Sequence, residues 1–124
     1  MTEEKTYFSP IELYDIFQQS MLDDTDDWKE LVGGKPTFKG PSIHVEGRKA
    51  FIEMNEAWFE AIERQVVKKI ATCEDLVIAH LSITLTTKTD KAVTFEVVEW
   101  YNIPNSKIES IIIYMDTAPL KKIR

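Results

Sequence analysis

The feature that most constrains this chain is the stretch from Phe95 to Asp116, where two β-rich runs flank a short Pro104-Asn105-Ser106 turn and carry acids among apolar residues. A packed sheet tolerates a carboxylate only where water, a partner or a ligand meets it. The pattern implies a sheet that lines a cavity, with Glu99 and Asp116 as the acids to be accounted for.

Strand patterning begins well before that stretch. Val66 to Ala71, Leu76 to Thr87, Ala92 to Ile103 and Ile108 to Met115 are four predicted strands, joined by Glu74-Asp75, by residues 88–91 and by Pro104-Asn105-Ser106. In the second, Val77, Ala79, Leu81, Ile83 and Leu85 alternate with Ile78, His80, Ser82, Thr84 and Thr86, which gives one dry and one semi-polar face. In the third, alternation groups Val93, Phe95, Val97, Glu99, Tyr101 and Ile103, so Glu99 is the charged member of an apolar row. Such a group shifts its pKa upward or meets a partner.

The first half is helical. Ser9-Pro10-Ile11-Glu12 is a complete capping box with proline at the first helical position, and Phe8 and Leu13 are placed to close a hydrophobic staple. Leu13, Ile16, Phe17, Ser20 and Met21 follow at helical spacing, with Tyr14 at the edge of that face and Glu12, Asp15, Gln18 and Gln19 opposite. Asp23 or Asp24 is expected to cap a short second helix through Trp28, Leu31 and Val32, stopped by Gly33-Gly34. Pro36 to Pro41 allows a brief extended piece, and Ser42 to Gly47 a loop. A third helix then places Phe51, Met54, Trp58, Phe59 and Ile62 on one stripe. Helices first and a meander afterwards define an α+β fold, and 124 residues fit a single domain, 1–124.

Fifteen basic residues against 21 acidic ones give a net charge of −6, which repels phosphate and argues against nucleic acid as a partner. One cysteine, Cys73, forms no internal disulfide, so a reducing, cytoplasmic location is expected, and no segment suggests export or membrane insertion. His44 and His80 lack metal-ligand spacing, so neither a metal nor a cofactor is called for.

Several loose motifs share an order: Asp24-x-x-x-Trp28, Glu46-Gly47-Arg48 before the third helix, Ser106-Lys107-Ile108 in the last hairpin, and Tyr114-x-Asp116. In that order the chain resembles the nuclear transport factor 2-like superfamily, in its SnoaL-like and ketosteroid isomerase-like branch. The resemblance implies a cone-shaped α+β barrel, N-terminal helices packed on a strongly curved antiparallel or mixed sheet, with a pocket opening into the cone. It also implies site residues. Glu99 stands for the isomerase oxyanion-hole acid, Tyr14 for its tyrosine, and Asp116 for the cyclase acid near the closing strand, with His44 as a base at the pocket mouth. The ligand pocket would be lined by Phe17, Phe38, Met54, Trp58, Phe95 and Tyr101. Where an isomerase carries its proton-shuttling aspartate, this chain has Lys39-Gly40-Pro41. Trp100, Ile111 and Ile113 are assigned to a convex face covered by a second copy in a homodimer. Two functions fit: binding of a small apolar organic molecule with acid-base chemistry on it, or a non-catalytic ligand-binding or dimeric interaction module.

Overall fold

A computed structural model describes residues 8–86 and 90–116; the expected connection at 88–91 and the charged termini lie wholly or partly outside that range. Helix α1 runs over Pro10–Leu22, followed by a 3-10 turn over Asp27–Leu31, strands β1 (Val32–Gly40) and β2 (Ile43–Glu46), and helix α2 (Arg48–Ala61). Strands β3 (Ile62–Cys73), β4 (Leu76–Thr86), β5 (Ala92–Asn102) and β6 (Ile108–Met115) complete the sheet. Its order is β2-β1-β6-β5-β4-β3, parallel only between β1 and β6. The expected α+β class and helix-on-curved-sheet layout hold. The sheet is curled but not closed, since β2 and β3 remain its two edges.

The α1 start follows from its cap. Ser9 and Glu12 exchange the two capping-box bonds, and the entering Phe8 is fastened to the far hairpin: its N–H donates to Ser106 Oγ (2.8 Å) and its carbonyl accepts from it (3.1 Å). The second helix is shorter than expected and starts later. Asp26 holds its N-cap position without a side-chain bond, and Ser20 of α1 anchors the turn by accepting the Trp28 N–H at 3.0 Å.

Gly33-Gly34 does not stop a helix; it lies inside β1. The β1–β6 register shifts between Val32 and Thr37, and this irregular stretch accommodates both glycines and Pro36. Gly33 permits a close approach, because a Cβ there would lie 2.5 Å from Glu109 Oε2. The segment read as a loop, Ser42 to Gly47, contains β2, which pairs antiparallel with β1 through Phe38↔Val45 and Lys39↔His44.

Curvature comes from β3 and β4, whose register shifts between Ile62 and Arg64 and again between Val67 and Lys69. Inside the curl, Leu13, Phe17, Phe51, Val77, Leu81, Ile83, Val97, Ile108 and Ile111 are buried as one core. Helix α2 contributes less than its stripe suggested, for only Phe51 and Asn55 are fully covered while Met54, Trp58 and Phe59 are half-buried. Among the described residues no helix is long and apolar enough to cross a membrane.

Candidate functional site

On β5, alternation sends Phe95, Val97, Glu99 and Tyr101 to the concave side, and pairing sets Ala79 of β4 and Ile113 of β6 on either side of Glu99. Glu99 is 3% exposed, the one buried carboxylate among the described residues. Burial pushes its carboxyl up to about 7; the Trp58 and Tyr101 side chains, hydrogen-bonding groups beside it, pull the other way and are outweighed. Its Oε1 has no hydrogen-bond partner among the described residues.

Tyr14, 1% exposed on α1, is the second polar group without a partner: its Oη also bonds to nothing described. Burial, then the neighbouring Glu99 charge, raises its pKa far beyond the ordinary phenol range, so the hydroxyl keeps its proton. The Tyr14 and Tyr101 rings meet edge to face at 4.9 Å. Leaving a buried donor or acceptor unsatisfied costs about 1–3 kcal/mol. The two atoms lie within electrostatic reach of each other.

An aromatic series leads outward. Tyr101 packs on Phe17 at 5.7 Å, and Phe17 on Trp28 at 5.6 Å. Trp28 in turn lines an open groove of about 720 Å³ with Met21, Leu22, Phe59, Ile62 and Gln65. Asp24, Asp26, Glu56, Glu60 and Glu63 surround that groove with Arg64, and Lys29 bridges Asp26 and Glu56, each at 3.1 Å.

The structure gathers Glu99, Tyr14, Phe17, Phe95 and Tyr101 in the core with Phe38, and Trp58 and Met54 pack against it half-buried. It does not bring His44 or Asp116 to Glu99. His44 sits exposed on edge strand β2, facing Glu46 at 3.4 Å, with β1 and β6 between its strand and β5, roughly 14 Å of sheet. Asp116 is exposed one residue beyond β6.

The assignment of Ile111 and Ile113 to a convex surface is corrected. Ile111 pairs with Tyr101 and Ile113 with Glu99, which puts both isoleucines on the buried concave side. Ile112, opposite Trp100, takes the outer face. There Trp100 and Tyr114 are exposed and pack edge to face at 6.2 Å, while His80 and Lys68 both engage Glu96.

Sequence reasoning missed Gln18, Gln65 and Trp28. Gln18 is only 9% exposed; its Nε2 donates to Tyr101 Oη at 3.0 Å, and its Oε1 accepts from Gln65 Nε2 at 2.9 Å. The available signal for Gln18 was its position directly after Phe17, where a wide buried helix face takes in one more residue. Among the described residues no group of three or more His, Cys, Asp or Glu could hold a metal ion.

A curled sheet closed over by α1, with an acid and a tyrosine buried inside it, is the α+β arrangement the chain adopts. The SnoaL-like domain model matches residues 12–111, and the chain belongs to that family. Comparison with curated proteins gives no match. Among solved structures, an NTF2-like protein of unknown function from Cytophaga hutchinsonii is 22% identical, over 95% of this chain and 99% of that one, with a TM-score of 0.76. A candidate SnoaL-like polyketide cyclase from Jannaschia sp. CCS1 is 14% identical over 99% and 96%, with a TM-score of 0.78. TerC, co-crystallised with polyporic acid, is 11% identical over 92% and 96%, again with a TM-score of 0.78. At these identities the likeness establishes the fold.

Proposed function

We propose that this protein binds a small, largely apolar organic molecule carrying a carbonyl or phenolic oxygen, and that Tyr14 and Glu99 hold that oxygen. The observation that carries the reading is the pair of unpartnered buried atoms, Tyr14 Oη and Glu99 Oε1. Below pH about 7 Glu99 is a neutral acid, and two O–H donors then face one ligand oxygen, the arrangement that stabilises a developing enolate. Phe17, Phe38, Phe95, Tyr101, Met54 and Trp58 supply the apolar surround. That TerC, of the same fold, was co-crystallised with polyporic acid is consistent with this class.

Titration with simple apolar ketones and phenols should move the Tyr14 ring and Glu99 carboxyl carbon signals together in NMR spectra. Shifts confined to the convex face at saturation would overturn the reading. A second reading, binding without turnover, is favoured by one specific observation: neither His44 nor Asp116 lies beside Glu99 to accept a proton.

The assembly is a homodimer through the outer face of β5 and β6, with exposed Trp100 and Tyr114 and half-buried Ile112 at its centre; aromatic and β-branched surface of this kind is what a second sheet covers. Light scattering at micromolar concentration should give a dimeric mass for the natural chain and a monomeric one after Trp100→Lys with Tyr114→Lys. A natural chain of monomeric mass would refute it. The protein acts in the cytoplasm, a location that fits its lone, exposed, free Cys73.

A further inference from the structure

Gln18 and Gln65 have no role in the chemistry described so far, yet they join the groove to the buried acid. A primary amide has one acceptor and two donor positions, so the bond it makes at one end restricts what it offers at the other. Gln65 Nε2 donates to Gln18 Oε1 at 2.9 Å, which leaves the Gln18 amide nitrogen to donate to Tyr101 Oη at 3.0 Å. A phenolic oxygen that accepts one bond is free to aim its own proton elsewhere, and Glu99 is the acceptor beside it. Every donor in the chain therefore points the same way, from the groove lined by Gln65 to the buried carboxyl.

We infer that Gln18 and Gln65 are positioning residues that hold the Tyr101 hydroxyl proton on Glu99, and that the sense of this hydrogen-bond chain follows the charge on Glu99. With Glu99 ionised, the donors run inward and Gln65 turns its carbonyl oxygen to the groove. With Glu99 protonated and no ligand oxygen to receive its one O–H, the acid donates to Tyr101. The Tyr101 O–H then rotates to donate to Gln18 Oε1, both amides invert with no proton transferred to them, and Gln65 presents its NH2 to the groove. The lip of the groove thereby offers a ligand an acceptor in one state and a donor in the other. Chains of aligned hydrogen bonds polarise one another in a buried setting, which favours the two uniform senses over broken ones.

The groups around Glu99 leave few competitors. Helix α1 contributes Tyr14, β5 contributes Tyr101, α2 contributes the non-titrating Trp58, and Ala79 of β4 and Ile113 of β6 flank it without charge. Around Gln65 the groove presents Glu56, Glu60, Glu63 and Arg64, and these are the alternative source of any response there.

The inference rests on Glu99 being the acid of the site, and the test separates the two. The Glu99 carboxyl carbon and the Gln65 side-chain NH2 group are followed by NMR from pH 4 to 9 in the natural protein, in Gln18→Leu and in Gln65→Leu. The expected result is a Gln65 amide that titrates with the Glu99 midpoint. In Gln18→Leu that response disappears and the Glu99 midpoint rises by about one unit, because a donor that favoured the charged form has lost its support. Gln65→Leu, at a half-buried position that folding tolerates, raises the midpoint by a smaller amount. A Glu99 midpoint near 7 that neither variant moves, or a Gln65 response that survives Gln18→Leu and so reports the groove carboxylates, overturns the inference alone. A natural Glu99 midpoint near 4.5, the value of the free side chain, overturns the reading of the site along with it.

Discussion

Replacing Glu99 with glutamine is expected to raise stability at pH 8 by about 2 kcal/mol and to abolish any acid-base turnover. The folded carboxyl titrates at about 7, above the 4.5 of the free side chain, because burial disfavours its charge. Between roughly pH 4.5 and 7 the folded protein keeps a proton that the unfolded chain has lost, so stability falls as pH rises through that window and levels off above it. The difference of two and a half units corresponds to a loss of about 3 kcal/mol. Glutamine carries no charge at any pH and escapes this loss, while its amide, imperfectly partnered, gives back about 1 kcal/mol. Urea unfolding at pH 5 and pH 8 decides the matter: the natural chain should weaken between them and Glu99→Gln should not. Equal pH dependence in both proteins would mean that Glu99 titrates like a surface acid. Such a destabilising charge kept inside a core is the signature of a group retained for what it does.

Phe17→Ala should produce the largest loss of stability, about 3–5 kcal/mol. Phe17 is fully buried between Trp28 and Tyr101, so the truncation removes both edge-to-face contacts and leaves a void that the sheet and α1 cannot close by small shifts. The void joins the groove behind Trp28 to the space beside Tyr101, and a benzene-sized molecule should recover part of the loss by filling it. Phe17→Leu, which keeps most of the volume, should cost less than about 1.5 kcal/mol. A Phe17→Ala protein within 1 kcal/mol of the natural chain would show that this layer is already loosely packed.

The parts of the fold that were legible in the sequence are those governed by local periodicity. Alternation along β4 and β5 identified Val77, Ala79, Leu81, Ile83 and the Phe95-to-Tyr101 row as inward, and these positions are buried. The same rule applied to β6 separated Ile112 from Ile111 and Ile113 correctly, but chose the wrong face. Periodicity fixes which residues lie together; the pairing Tyr101↔Ile111 across the hairpin decides where they point, and that is a tertiary fact. Only the Pro36-to-Gly40 end of β1 reads as extended, because Gly33, Gly34 and Pro36 oppose strand formation locally, while the register shift beside β6 removes the objection; β2 reads as loop. Glu99 could be singled out as a charge in an apolar row. Gln18 offered only its place beside Phe17, because its partners Tyr101 and Gln65 are 83 and 47 residues away.

The sheet order also governs how this protein can grow into anything larger. β3 is an outer strand of twelve residues, long enough to recruit a neighbouring chain's backbone, and Val66 and Val67 on it are exposed. Lys68 and Lys69 follow directly, at the point where the register slips. Charge and distortion in mid-strand frustrate ribbon-like addition of one β-edge to another. Polymerisation along that rim is disfavoured, which leaves the flat of the sheet as the surface for the dimer proposed above.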